Sequence, residues 1–167
     1  ILSLSERSAL RGKWSSATMV EVLKHWTENN GDKEVFCFHR SAPSLATGSH
    51  GKDTQTRTYA ELDKNASRIA GGLLKMQLSR QDRVLLAFPA GLEFIDALMG
   101  CLYAAAVAVP TPPPSVKKRR ASASRFSAVL RDCQPAAILT TSAHYDVVKK
   151  MVGELSGNSL CEPPRVT

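Results

Sequence analysis

Three short apolar runs, Arg83 to Phe88, Val107 to Val109 and Ala136 to Thr140, alternate with stretches of helical spacing, and this constrains the fold most. A strand buried on both faces reads as a continuous apolar run, as strands of parallel sheets do. Parallel neighbours need a crossover, usually a helix. Leu92 to Ala105 and Ser124 to Cys133 supply one each, and Ser142 to Leu155 follows the third run as a further helix. Strands alternating with helices predict βαβ units and a parallel sheet. Right-handed crossovers place helices on both faces. The expected fold is α/β, a three-layer sandwich with a mostly parallel sheet. Leu92 to Ala105 is apolar almost all round and is expected to be deeply buried. Pro110 is expected to end the second strand, and the run Pro110 to Pro114 to be extended.

The upstream half reads differently. Thr18-Met19-Val20-Glu21 and Thr58-Tyr59-Ala60-Glu61 both place a hydroxyl at a helix cap and a glutamate three residues on, which is a capping box. The first helix carries Met19, Val20, Leu23 and Trp26 and should fade at Asn29-Asn30-Gly31. The second carries Leu62, Ala66, Ile69, Leu73 and Met76 on one stripe. Gly71-Gly72 interrupts it at about 1 kcal/mol per glycine relative to alanine, which suggests close packing against another element. Between the two helices, Glu34 to Phe38 reads as a strand, with Val35 and Cys37 on one face and Phe36 and Phe38 on the other. Thr56 to Thr58 pairs back on it, giving a small antiparallel pair near Val35 and Thr58. Residues 41–55 read as a polar loop.

Composition narrows the class. At 167 residues the chain can bury one core. No apolar run approaches the roughly 20 residues that cross a bilayer, and the first ten residues lack a signal-peptide pattern. No transmembrane segment and a cytoplasmic location are expected. Cys37, Cys101, Cys133 and Cys161 form no C-x-x-C pair, and His25, His39, His50 and His144 show no ligand spacing. A disulfide framework and a metal site are therefore not expected. Cys37-Phe38-His39 is the closest Cys–His pairing and reads as a strand edge. The net charge is +7, concentrated at Lys117-Lys118-Arg119-Arg120. Without interleaved aromatics, this run reads as a solvated linker entering a helix, and no nucleic-acid partner is expected.

Glycine-rich phosphate loops and the G-x-S-x-G elbow are absent from the sequence. Glu93 and Asp96 lie on a helix without nameable partners and read as a solvated or capping pair, not a catalytic dyad. The residues alone thus predict an α/β domain without a self-contained active site. Catalytic, cofactor-binding and metal residues are none, and substrate-binding residues are unknown.

Three ordered segments resemble the adenylate-forming enzymes, specifically the fatty acyl-AMP ligase branch. They are Thr56-Arg57-Thr58-Tyr59-Ala60-Glu61-Leu62; Leu85 through Pro89-Ala90-Gly91 to Ile95; and Gly100-Cys101-Leu102-Tyr103-Ala104-Ala105-Ala106-Val107-Ala108-Val109-Pro110 with the prolines that follow. Arg119-Arg120 and Ala136 to Ser142 continue the similarity. Two positions depart from the family pattern. Ala90 stands for the second proline of a pair, and Ala105 for a glycine at a helix end. If that end needs a left-handed backbone, alanine is strained there by about 1 kcal/mol.

The resemblance implies the first subdomain of an adenylating domain over residues 18–155, with 1–17 an N-terminal extension and 156–167 the start of a linker. Neither Ile1 nor Thr167 looks like a natural end, so a truncated piece is expected. The parent would use ATP with Mg²⁺ to join a fatty acid to AMP and pass the acyl group to an acyl carrier protein. Its partners would be that carrier, the fatty acid and the rest of the parent polypeptide. No cofactor is expected on this piece, which should be inactive alone. Tyr59, Leu85, Phe94, Tyr103 and Pro110 would be structural. The alternative is a catalytically silent adenylating-like domain that serves as a binding scaffold.

Overall fold

A computed structural model describes residues 17–39, 54–114, 119–156 and 165–166. The elements are α1 (Met19–Asn30), β1 (Glu34–His39), β2 (Thr54–Thr58), α2 (Tyr59–Lys75), β3 (Arg83–Ala87), α3 (Leu92–Tyr103), β4 (Val107–Thr111), α4 (Arg119–Cys133), β5 (Ala137–Thr140), α5 (Ser142–Ser156) and β6 (Arg165–Val166). The first seventeen residues, the polar loop after His39, Lys117, Lys118, Cys161 and most of the expected linker fall wholly or largely outside the described residues.

Four strands form one parallel sheet in the order β4-β3-β5-β6. Alternate side chains of β3 and β5 point to opposite faces. Val84, Leu86, Ala137 and Leu139 meet Leu73 of α2 and Ala97 and Cys101 of α3. Leu85, Ala87 and Ile138 meet Phe126, Leu130 and Cys133 of α4 and Val148 and Val152 of α5. The layers are helix, sheet, helix, as the alternation in sequence requires. A third cluster, Leu23, Leu62, Ala66 and Met99, fastens α1 to α2 and α3.

Both capping boxes form. The Thr18 and Thr58 hydroxyls accept from the Glu21 and Glu61 amides at 3.2 Å, and each glutamate accepts from its threonine's amide. The β1–β2 pair is antiparallel, with a register shift between Glu34 and Phe36. That irregularity breaks the strict alternation expected of β1. Val35 and Phe38 are half-buried, while Phe36 and Cys37 are exposed, because a bulge turns the following side chains about the strand.

Two local expectations change. Pro110 does not end β4 but lies within it, beside Leu86. Among the described residues β4 pairs only with β3, and a proline is tolerated on such an outer strand when its missing N–H faces away from the ladder. Gly71 and Gly72 are not at a close approach, since a Cβ on either meets nothing within 4 Å. A close approach of one helix to another occurs instead at Gly100, where a Cβ would lie 2.5 Å from Ile69 Cγ2. Further along the chain, β6 pairs with β5.

The turns at the amino ends of the strands are tied together. Gln81 N donates to Ala105 O, Val107 N to Asp82 O and Ala136 N to Arg83 O, each at 2.8 Å. Ala105 has φ of 53°, the left-handed backbone that its family position raised.

Candidate functional site

The chain leaves β3 through α3 toward β4 on one side, and leaves β5 through α5 toward β6 on the other. Adjacent strands whose connections diverge open a crevice beyond their carboxyl ends, where open α/β sheets bind ligands. A crevice of about 400 Å³ lies there. Its floor is apolar, built from Ile69 and Leu73 of α2, Met76 just after that helix, Phe88 and Leu139. Asn65, Arg68, Glu93, Asp96 and the run Thr140-Thr141-Ser142 bring polar groups to it.

Asp96 is only 5% exposed. Its carboxylate accepts from Arg57 Nε at 3.2 Å, from the other Arg57 donor at 3.1 Å, and from Asn65 Nδ2 at 3.1 Å. The sequence reading of Asp96 as a solvated residue without partners is therefore corrected. Its partners come from β2 and α2, 39 and 31 residues away, a separation that local patterning cannot reveal. Glu93, the other half of that pair, is exposed. The one local signal was an acid at Asp96, a turn inside a helix whose later positions are all uncharged.

The rim hydroxyls are engaged as well. Thr140 Oγ1 donates to Ala87 O at 2.8 Å, bridging the ends of β5 and β3. Thr141 Oγ1 lies 2.8 Å from His144 Nδ1 and sits just before the first turn of α5. No buried side-chain polar atom among the described residues lacks a partner. The arrangement can take an amphipathic group, with Thr141 and His144 its one hydroxyl–imidazole contact among the described residues.

Tyr59 stacks on Trp26 with ring centroids 5.9 Å apart. Leu85 is fully buried, Phe94 packs on the α2–α3 side of the sheet, and Pro110 lies in β4. Tyr103 donates to Asp63 Oδ1 at 2.5 Å, with Lys24 Nζ 5.2 Å over its ring and 3.4 Å from the same carboxylate. Burial first, then the Asp63 carboxylate, pushes the Tyr103 phenol well above its ordinary range. None of these five residues lines the crevice.

A doubly wound α/β sheet with a crevice at its switch point defines a ligand-binding class of fold. The chain belongs to the AMP-binding enzyme family, which it matches over residues 23–162. It is 37% identical over 140 residues to a medium-chain-fatty-acid–[acyl-carrier-protein] ligase, JamA, of Moorena producens; that match covers 84% of this chain and 22% of JamA. It is 34% identical over 126 residues to the human Disco-interacting protein 2 homolog A, covering 75% of this chain and 8% of that protein. A fatty acyl-adenylate ligase from Legionella pneumophila, solved with acyl adenylate and pyrophosphate, superposes with a TM-score of 0.66 at 29% identity. The superposition covers 83% of this chain and 22% of the Legionella one. The likeness is thus to the fatty acyl-AMP ligase branch, and this chain spans about a fifth of the length of JamA and the Legionella ligase.

Asp96 is held by Arg57 and Asn65, and no group of three or more His, Cys, Asp or Glu among the described residues could hold a metal ion. No helix among them is long and apolar enough to cross a membrane.

Proposed function

We propose that the protein carrying this chain activates fatty acids with ATP and hands the acyl group to an acyl carrier protein. The fatty acid carboxylate would attack the α-phosphorus of ATP, forming acyl-AMP and expelling pyrophosphate. The phosphopantetheine thiol of the carrier would then take the acyl group and release AMP. Mg²⁺ would neutralise the phosphate charge when bound. The observation that carries this reading is the 37% identity to JamA across most of the chain.

In this reading residues 18–155 form the first subdomain of the adenylating domain, with 1–17 an extension and 156–167 a linker, in a cytoplasmic enzyme. This chain contributes a rigid wall, not the reacting groups. The catalytic motifs lie in the rest of the polypeptide, and the 167 residues alone are inactive. Fatty-acid-dependent ATP–pyrophosphate exchange, run on the full-length polypeptide and on this chain, tests the proposal. Exchange by the full-length protein alone is expected. Exchange by the isolated chain would overturn the placement of the chemistry.

A second reading rests on the likeness to Disco-interacting protein 2 homolog A, whose name describes an interaction and not a ligase. The full-length protein would then be a silent adenylating-like scaffold, and no fatty acid would support exchange.

A further inference from the structure

Strand geometry puts a thiol, an imidazole and a hydroxyl in one line on the outer face of the β1–β2 hairpin. Cys37 and His39 are two residues apart on β1, so their side chains leave the same face. Thr54 is the cross-strand partner of His39, and directly opposed residues share a face. Cys37 Sγ lies 3.5 Å from His39 Nε2, and His39 Nδ1 lies 3.0 Å from Thr54 Oγ1. When Nδ1 carries its proton and donates to the threonine, Nε2 presents a lone pair to the thiol. An imidazole fixed in that tautomer by a third group is how a nucleophile is coupled to its base.

The other described thiols are placed oppositely. Cys101 is fully buried, and burial pushes its thiol up to about 12. Cys133, the last residue of α4, is buried in the cluster that packs on β3 and β5, and that burial raises it too. Cys37 is exposed, and the neighbouring His39 imidazole is tied to the Thr54 hydroxyl across the strand pair.

We propose that Cys37, with His39 as its base and Thr54 orienting that base, is a thiol-modification site for low-molecular-weight disulfides and other soft electrophiles. In the exchange step, His39 Nε2 takes the thiol proton as Sγ attacks one sulfur of the disulfide. A mixed disulfide forms on Cys37 and the S–S bond of the reagent breaks. The departing thiolate recovers the proton from His39, so one protein thiol and one disulfide give one mixed disulfide and one free thiol. This site is separate from the crevice and does not depend on the proposed ligase activity.

The test is to expose the full-length protein to oxidised glutathione and follow each cysteine by peptide mapping over time. Cys37 should gain glutathione well before Cys101 and Cys133. His39→Gln, which keeps size and polarity but cannot take the proton, should slow Cys37 by about tenfold, and Thr54→Val should slow it less. Cys101 and Cys133 report folding in the same samples, and their continued protection shows that a variant is intact. Should the intact His39→Gln protein react at the parental rate, or should Cys37 be no faster than the buried thiols, the proposal is overturned. If His39→Gln exposes the buried thiols, the Thr54→Val rate decides: an intact variant with an unchanged Cys37 rate overturns it equally.

Discussion

Arg57 on β2 closes on Asp96 on α3, with Nε at 3.2 Å and its second donor at 3.1 Å from one carboxylate oxygen. This ion pair pins the hairpin to the helical layer and sets one wall of the crevice. Asp96→Ala leaves the Arg57 charge and the Asn65 amide without their acceptor. The Arg57 side chain is 26% exposed, so water softens the loss. The expected cost is about 2–3 kcal/mol, read as a lower urea midpoint with an unchanged slope. A cost below a few tenths would show that the pair does not hold the hairpin.

The glycines make opposite predictions according to what faces them. Gly100→Ala drives a methyl into Ile69 and should destabilise by about 1–3 kcal/mol, with part of that cost recovered in an Ile69→Ala background. Gly71→Ala and Gly72→Ala meet open space in this chain and should each stabilise α2 by about 0.5–1 kcal/mol. Thermal unfolding of the three single variants and the double variant settles both signs.

Ala105 sits at φ 53° between α3 and β4. Glycine adopts that backbone without the Cβ clash, so Ala105→Gly should raise stability by up to about 1 kcal/mol. The turn's hydrogen bond from Gln81 N to Ala105 O is a backbone bond and survives the change. A neutral or lower melting temperature would count against strain at this turn.

The α1 cap carries a pH signature. The Thr18 amide, and after it the Thr18 hydroxyl, hold the Glu21 carboxyl below its ordinary value of 4.5. A carboxyl depressed in the folded state stabilises above its unfolded value, and that increment disappears as pH falls through the folded value. Glu21→Gln should therefore lose stability relative to the parent at neutral pH, and the gap should close under acid. A gap that persists through the carboxylate range would mean that the charge is not what the cap uses.

At the α2 cap, Thr58→Ala removes the acceptor for the Glu61 amide and should cost about 1 kcal/mol. Circular dichroism of thermal unfolding measures it directly. Thr58→Ser, which keeps the oxygen, should cost much less.

The sequence by itself determined the layers, both capping boxes, the hairpin and the order of β3, β4 and β5 along the chain. These follow from residues a few positions apart, because helix periodicity, strand burial and cap chemistry are local. The resemblance to the fatty acyl-AMP ligase branch came from the same contiguous stretches, such as Gly100 to Pro110. What only the tertiary structure decided lies between distant residues. Asp96 looked solvated until Arg57 and Asn65 folded over it, and the close glycine proved to be Gly100 under Ile69, not Gly71 or Gly72. Pro110 could stay in a strand because β4 lies outside β3, and Cys37 and His39 gained Thr54 only through strand pairing. Each of these depends on which surfaces meet, and that is fixed by packing across tens of residues, not by any neighbour in the chain.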